Sequence, residues 1–272
     1  LFACGLALLR GRRGSERGPV FSGGDPAEFR ALLPFEPTGA QVRAMEELAA
    51  DASSGRPMNR LVQGDVGSGK TMVAAYGAWL AARSGWQCAL MAPTEILAEQ
   101  HHRTLSALLG PAGVRVGLLT AALGAAGKRK AKAALAVGEI DLMVGTHALL
   151  SEGVTFPRLG LVVTDEQHRF GVEQRSALAA KGAEGLRPHI LVMSATPIPR
   201  TLALILYGDL DVSVMDELPP GRTPVETYVI GEDKRQRMYN FVRKLAGEGR
   251  QGYIVCPMVE EGEEATADLK AV

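Results

Sequence analysis

The chain has 272 residues, enough for one large domain or two smaller ones. Hydrophobic residues make up 46% and charged residues 22%, the balance of a globular protein, which excludes a chain that is mostly disordered. Thirty Lys and Arg offset thirty Asp and Glu; this excludes a polybasic binder but leaves room for a local basic surface.

Residues 1–9 (LFACGLALL) are apolar, yet Arg10, Arg12 and Arg13 follow the run instead of preceding it, the wrong order for a signal peptide. With Leu in first position, the chain reads as an excised fragment that starts at the end of a connecting helix. Residues 11–25 are rich in Gly, Ser and Arg and read as a flexible linker, so 1–34 is expected to be connecting helix plus linker. Thr38-x-x-Gln41 is a capping-box pattern that opens a helix over 39–50. Strand-like runs follow at 59–63, 87–92, 114–119, 140–144, 159–164 and 189–193. Helical patterns at 69–83, 94–109, 124–137 and 172–181 lie between several of them. Alternation of this kind predicts an α/β domain over 35–217, with a mainly parallel sheet and helices on both faces. The LVV run at 161–163 fits a sheet buried on both sides. The segment 218–224 (LPPGRTP) is the expected hinge. Beyond it, 225–230, 233–247 and 252–257 read as strand, helix, strand, the start of a second α/β unit over 225–272. Residues 252–258 are expected to be frayed for want of neighbouring strands.

The cysteines Cys4, Cys88 and Cys256 are scattered, which fits a reducing cytoplasm better than a disulfide framework. No run of about 18 apolar residues occurs, so no membrane-spanning helix is expected. His101, His102, His147, His168 and His189 lack metal-ligand spacing, and zinc is not expected. The basic cluster Lys128, Arg129, Lys130 and Lys132 reads as a solvated helix face rather than a binding patch.

The most specific chemical signal is GDVGSGKT at 64–71, which fits the phosphate-binding pattern G-x-x-x-x-G-K-[ST] between a strand and a helix. Gly64, Gly67 and Gly69 permit close backbone approach, and the N–H groups around Ser68 and the helix start face phosphates. Lys70 supplies charge to the outer phosphates, and the Thr71 hydroxyl is a Mg²⁺ ligand. A second signal is LGLVVTDEQH at 159–168. The strand delivers Asp165, suited to hold Mg²⁺ through its water shell, and Glu166, suited to orient or deprotonate a water. ATP and Mg²⁺ are the expected ligands. Gln41 carries two readings that can coexist, the capping box and recognition of an adenine edge.

The segments LPFEPTGAQ (33–41), GDVGSGKT (64–71), APTEILAEQH (92–101), VGTHALL (144–150), DEQHRFGVEQR (165–175), SATPIPRT (194–201) and GDLDVSVMDELPPGRTPVET (208–227) together resemble the helicase core of the RecG family. These are superfamily-two enzymes that act on branched DNA, and the transcription-repair coupling factor is a close relative. The resemblance implies a RecA-like P-loop domain in which Phe35 and Gln41 recognise adenine. It implies DNA-backbone contacts for Thr94 and Glu95, and for the loop at Gly145, Thr146 and His147. Asp165, Glu166, Gln167 and His168 would form the hydrolysis motif. Ser194, Ala195 and Thr196 would couple hydrolysis to domain movement. The implied partner is branched or duplex DNA, the protein a cytoplasmic monomer with roles in repair and recombination. The alternatives are a duplex translocase and, for the chain alone, a nucleotide-binding module without turnover. The resemblance further implies that a second RecA-like domain supplies arginine fingers. On that reading the chain by itself binds ATP·Mg²⁺ weakly and turns it over poorly. Pro37 stands where a large apolar residue is usual, and Thr164 and Ser194 are conservative departures.

Overall fold

The computed structural model describes residues 16–165, 178, 181, 185–196, 210–217 and 226–255. The connecting helix expected over 1–10 and the hinge at 218–224 lie outside the described residues, as does most of the helix expected over 172–181. The chain divides into two compact units, Leu1–Arg222 and Thr223–Val272.

Among the described residues the first unit is built on seven parallel strands: β1 (Asn59–Gly64), β2 (Gln87–Met91), β3 (Val116–Leu119), β4 (Leu142–Gly145), β5 (Leu159–Thr164), β6 (His189–Ser194) and β7 (Asp211–Met215). Their order across the sheet is β3-β4-β2-β5-β6-β1-β7, and every pairing is parallel. The helices are α1 (Pro26–Arg30), α2 (Gly39–Ser53), α3 (Lys70–Arg83), α4 (Glu95–Leu109) and α5 (Ala125–Ala136). Parallel strands need crossovers, and α3, α4 and α5 supply them between β1 and β4.

Side chains alternate across the strands and so feed a large core on each face, beside a small cluster of Leu61, Val192 and Leu210. Cys88, Leu90, Leu161 and Val163 join α2, α3 and α4 in one. Ala89, Met91, Val162 and Met143 join Leu135, Leu149 and Phe156 in the other. Both faces are therefore covered, which explains the continuous apolar runs of the central strands. Helix α3 lies deepest, with Val73 through Ala81 all buried. A helix apolar on every side belongs inside a core rather than on a surface.

Strand β7 was not among the expected strands. Alternation in DVSVM points Val212 and Val214 inward, but the structure buries Ser213 and Met215 and leaves Val214 55% exposed. The reason is an ionic network. Arg60 on β1 is 7% exposed and binds Glu47 at 2.7 Å, Asp51 at 2.8 Å and the Ser213 hydroxyl at 2.8 Å. Ser213 in turn donates to Glu47. One face of β7 thus buries Ser213 beside Met215, while Val212 on the other packs partly buried against Leu61, Val192 and Leu210.

A second correction concerns the expected flexible linker. Residues 16–30 are strapped onto the domain. Gly18 N–H donates to Gly55 O at 2.9 Å, Phe21 N–H to Ala52 O at 3.0 Å, and Tyr76 Oη–H to Gly24 O at 2.8 Å. Phe21 and Phe29 are buried. Phe29 stands on α1, which Asp25 caps through Ala27 N–H, and packs 5.4 Å from both Tyr76 and Trp79. Composition pointed to a linker, but two aromatic side chains bury enough apolar surface to hold the segment down.

His189 closes the strap. Its Nδ1 accepts from Met58 N–H and its Nε2–H donates to Pro19 O, both at 2.9 Å, while Phe21 meets its ring edge-on at 4.7 Å. Burial pushes the imidazole down to about 4, from 6.5. The unfolded chain therefore binds the proton more readily, so this contribution is present in full above pH 6.5 and is lost as pH falls toward 4. Between pH 7.5 and pH 5 the expected loss is about 2 kcal/mol. Urea denaturation at the two pH values checks this. The stability gap between the wild type and H189Q should narrow by that amount at pH 5; a gap independent of pH would refute it.

In the second unit, α6 (Arg235–Gly247) matches the expected helix. Of the runs expected as strands at 225–230 and 252–257, the described residues 226–230 and 252–255 form no strand. A strand exists only through its ladder, and none pairs with these segments among the described residues. Val229, Tyr253 and Val255 are 99%, 89% and 90% exposed.

Candidate active site

In a parallel sheet all strands end at the same edge, where doubly wound folds bind their ligands. Every site segment with described residues, apart from that of Phe35 and Gln41, leaves this edge. Gly64 ends β1, Thr94 and Glu95 follow β2, Gly145 ends β4, Asp165 follows β5 and Ser194 ends β6. The folding pattern thus brings together residues that are far apart in sequence.

Residues Asp65–Gly69 form the turn between β1 and α3, and Gly67 and Gly69 have φ of +82° and +87°. Gly69 is the N-cap of α3 and offers no side-chain bond to its first amides. Those N–H groups and the positive end of the helix dipole suit an anion. A Cβ at Gly64 would come 2.5 Å from Met215 Cβ, and one at Gly69 would come 2.1 Å from Gln41 Nε2. Lys70 Nζ donates to Gly64 O at 2.7 Å and to Asp65 O at 2.9 Å, so the cation sits over the loop. The Ser68 hydroxyl is buried without a partner among the described residues. These donors fit a phosphate group. The Thr71 hydroxyl and the Asp165 carboxylate are hard oxygen ligands of the kind Mg²⁺ takes. No cluster of three or more His, Cys, Asp or Glu able to hold a metal occurs among the described residues.

Gln41 is 3% exposed and completes the capping box: Thr38 N–H donates to Gln41 Oε1 at 3.0 Å, and Gln41 N–H to Thr38 Oγ1 at 3.3 Å. Its Nε2 also donates to Ser68 O at 3.0 Å, so the cap holds the phosphate loop as well. Pro37 is buried and does not disturb this entry to α2. Phe35 is 48% exposed and borders an apolar groove of about 420 Å³ with Leu32, Pro34, Met72 and Leu108. The groove touches Met72, next to Thr71.

Other expected site residues have evident structural work. Thr94 caps α4 through Leu97 N–H. Glu95 accepts from Ala122 N–H at 2.9 Å, which ties α4 to the loop after β3. At Gly145 a Cβ would lie 2.3 Å from Leu119 O. Thr146 is buried at the start of the 3-10 turn His147–Leu150, and His147 is exposed. Ser194 Oγ lies 2.9 Å from Thr196 Oγ1 and accepts from Thr196 N–H, and Ala195 is half-buried between them. Glu166, Gln167 and His168 lie outside the described residues.

Sequence reasoning missed His101 as a site residue, having weighed it only as a metal ligand. Its Nε2 lies 2.7 Å from Asp165 Oδ2. The available signal was a polar residue inside the apolar stripe of α4, formed by Ala98, His101, Leu105 and Leu109.

Residues 38–205, more than half of the chain, match the DEAD/DEAH box helicase family. The chain belongs to that family. Among curated proteins it is 53% identical over 244 residues to the ATP-dependent DNA helicase RecG of Synechocystis, spanning 90% of this chain and 29% of that one. It is 50% identical over 275 residues to the Escherichia coli RecG, spanning 97% and 39%. Among solved structures, a RecG bound to a three-way DNA junction superposes with a TM-score of 0.81 at 44% identity, covering 95% of this chain and 35% of that one. The resemblance to RecG read from the motifs thus extends over nearly the whole chain, and the seven-stranded sheet is the RecA-like helicase fold. The chain spans about a third of the length of these helicase relatives.

Proposed function

We propose that the chain is the nucleotide-hydrolysing core of an ATP-dependent helicase that remodels branched DNA. The observation that carries the reading is the convergence of Gly64–Thr71, Asp165 and Ser194–Thr196 on one sheet edge in a chain half identical to a RecG. ATP is the substrate. The amides of the phosphate loop and Lys70 hold its outer phosphates, and Phe35 and Gln41 receive the adenine. Thr71 and Asp165 would hold Mg²⁺, which would supply charge neutralisation at the outer phosphates. Glu166 orients or deprotonates the attacking water, with Gln167 and His168 beside it. Segments 94–95 and 145–147 face the DNA backbone. Their contacts go to phosphates, so binding is sequence-independent and weakens with salt. Ser194, Ala195 and Thr196 pass the state of the nucleotide to the second domain. The protein acts as a cytoplasmic monomer in fork reversal and junction migration, in repair and recombination. No helix among the described residues is long and apolar enough to cross a membrane.

The test is ATP turnover by the full-length protein with four-way and forked DNA, linear duplex, single-stranded DNA and single-stranded RNA. Strongest stimulation by the branched substrates is expected. Equal stimulation by plain duplex would favour the general translocase, and stimulation by RNA alone would overturn the substrate.

A further inference from the structure

His101 lies about two turns into α4. It is one of only four buried residues of that helix, and the other three are Ala98, Leu105 and Leu109. A leucine would continue this stripe, so packing does not account for an imidazole there. What the imidazole adds is a donor. An ionised carboxylate can only accept, so the 2.7 Å contact to Asp165 Oδ2 places the hydrogen on His101 Nε2. Both side chains are nearly enclosed, 10% and 14% exposed, where such a bond is least weakened by water.

Asp165 is held at a second point by the same part of the chain. Its N–H donates to Met91 O at 3.0 Å, at the end of β2. Strand β2 runs through Thr94 directly into α4. The β2–α4 unit therefore grips Asp165 by both main chain and side chain. A carboxylate that holds a metal through water is effective only in one orientation, and outer partners commonly set it.

We propose that His101 is a positioning residue for the Mg²⁺ site, fixing the Asp165 carboxylate from α4. The proposal rests on the nucleotide-hydrolysis reading above. It also gives α4 a mechanical meaning, because one rigid helix carries the 94–95 segment at its start and the donor to the metal carboxylate about two turns on.

The test uses H101L, which removes the donor, and H101Q, whose amide places one near the Nε2 position. Mn²⁺ binding to the nucleotide-loaded full-length protein is followed by electron paramagnetic resonance. Fluorescent ADP binding in EDTA and thermal unfolding are measured alongside. H101L is expected to weaken Mn²⁺ binding about 10–100-fold. H101Q should stay close to wild type, and metal-free ADP affinity and unfolding temperature should hold in both. Unchanged Mn²⁺ affinity in H101L would overturn the role of His101 alone. So would a loss of metal-free ADP binding as large as the loss of metal, which would mark a general structural effect. If H101L fails to fold, H101N, whose amide is too short to reach, takes its place: weak Mn²⁺ binding beside a normal H101Q supports the proposal, and equal affinities overturn it. A wild type that binds nucleotide with no metal dependence would overturn the underlying nucleotide-hydrolysis reading as well.

Discussion

Replacing Lys70 by alanine is expected to lower ATP turnover of the full-length protein by at least about 10²–10³-fold, the scale for losing one preorganised charge-stabilising donor. The ammonium lies on the loop itself, bound to Gly64 O and Asp65 O, and a phosphate group would offer it better acceptors in the same place. Losing those two bonds removes no tie between the loop and a distant element, so no large drop in melting temperature is expected from them. Steady-state turnover on branched DNA, with circular dichroism melting as control, checks both statements. Turnover within tenfold of wild type would remove the phosphate loop from the mechanism. A large drop in melting temperature would show that Lys70 holds the loop together.

Phe29→Ala should cost about 3–5 kcal/mol of stability in the first unit, the usual penalty for emptying an aromatic site in a core. Phe29 is fully buried between Tyr76 and Trp79, and α1 places it there. Had residues 11–34 been only a linker, the same substitution would stay within about 0.5 kcal/mol. Urea denaturation followed by tryptophan fluorescence separates the two outcomes, and Trp79 serves as a reporter at the site itself. A cost under 1 kcal/mol would return this segment to the status of a tether.

The strap shows why composition misled. Gly, Ser and Arg dominate 11–25, and such a stretch by itself buries too little to order. Its two anchors, Phe21 and Phe29, are isolated aromatics with no periodicity of their own. Their receiving sites lie on α2, α3 and β6, far along the chain. Strand β7 escaped for a related reason. Its inward Ser213 becomes sensible only once Arg60 and Glu47 are beside it. The phosphate loop was legible because its chemistry is local. Glycines, lysine and threonine must be contiguous for backbone amides to surround one anion.

The Asp165 carboxylate falls between these cases. Its role could be read from an apolar strand ending in DEQH, but its orienting partner could not. His101 precedes it by 64 residues and reaches it only because β2 and β5 are neighbours, which lets α4 cross beside the end of β5. What the sequence determined unaided was whatever depends on short-range spacing: the strand and helix periods, the capping box at Thr38 and Gln41, the phosphate loop and the acidic strand end. Only the tertiary structure decided which carboxylate His101 meets, why Ser213 faces inward, and that residues 16–30 belong to the domain. Those outcomes rest on contacts between distant segments, whose partners are selected by sheet order and by burial of polar groups that each require a mate.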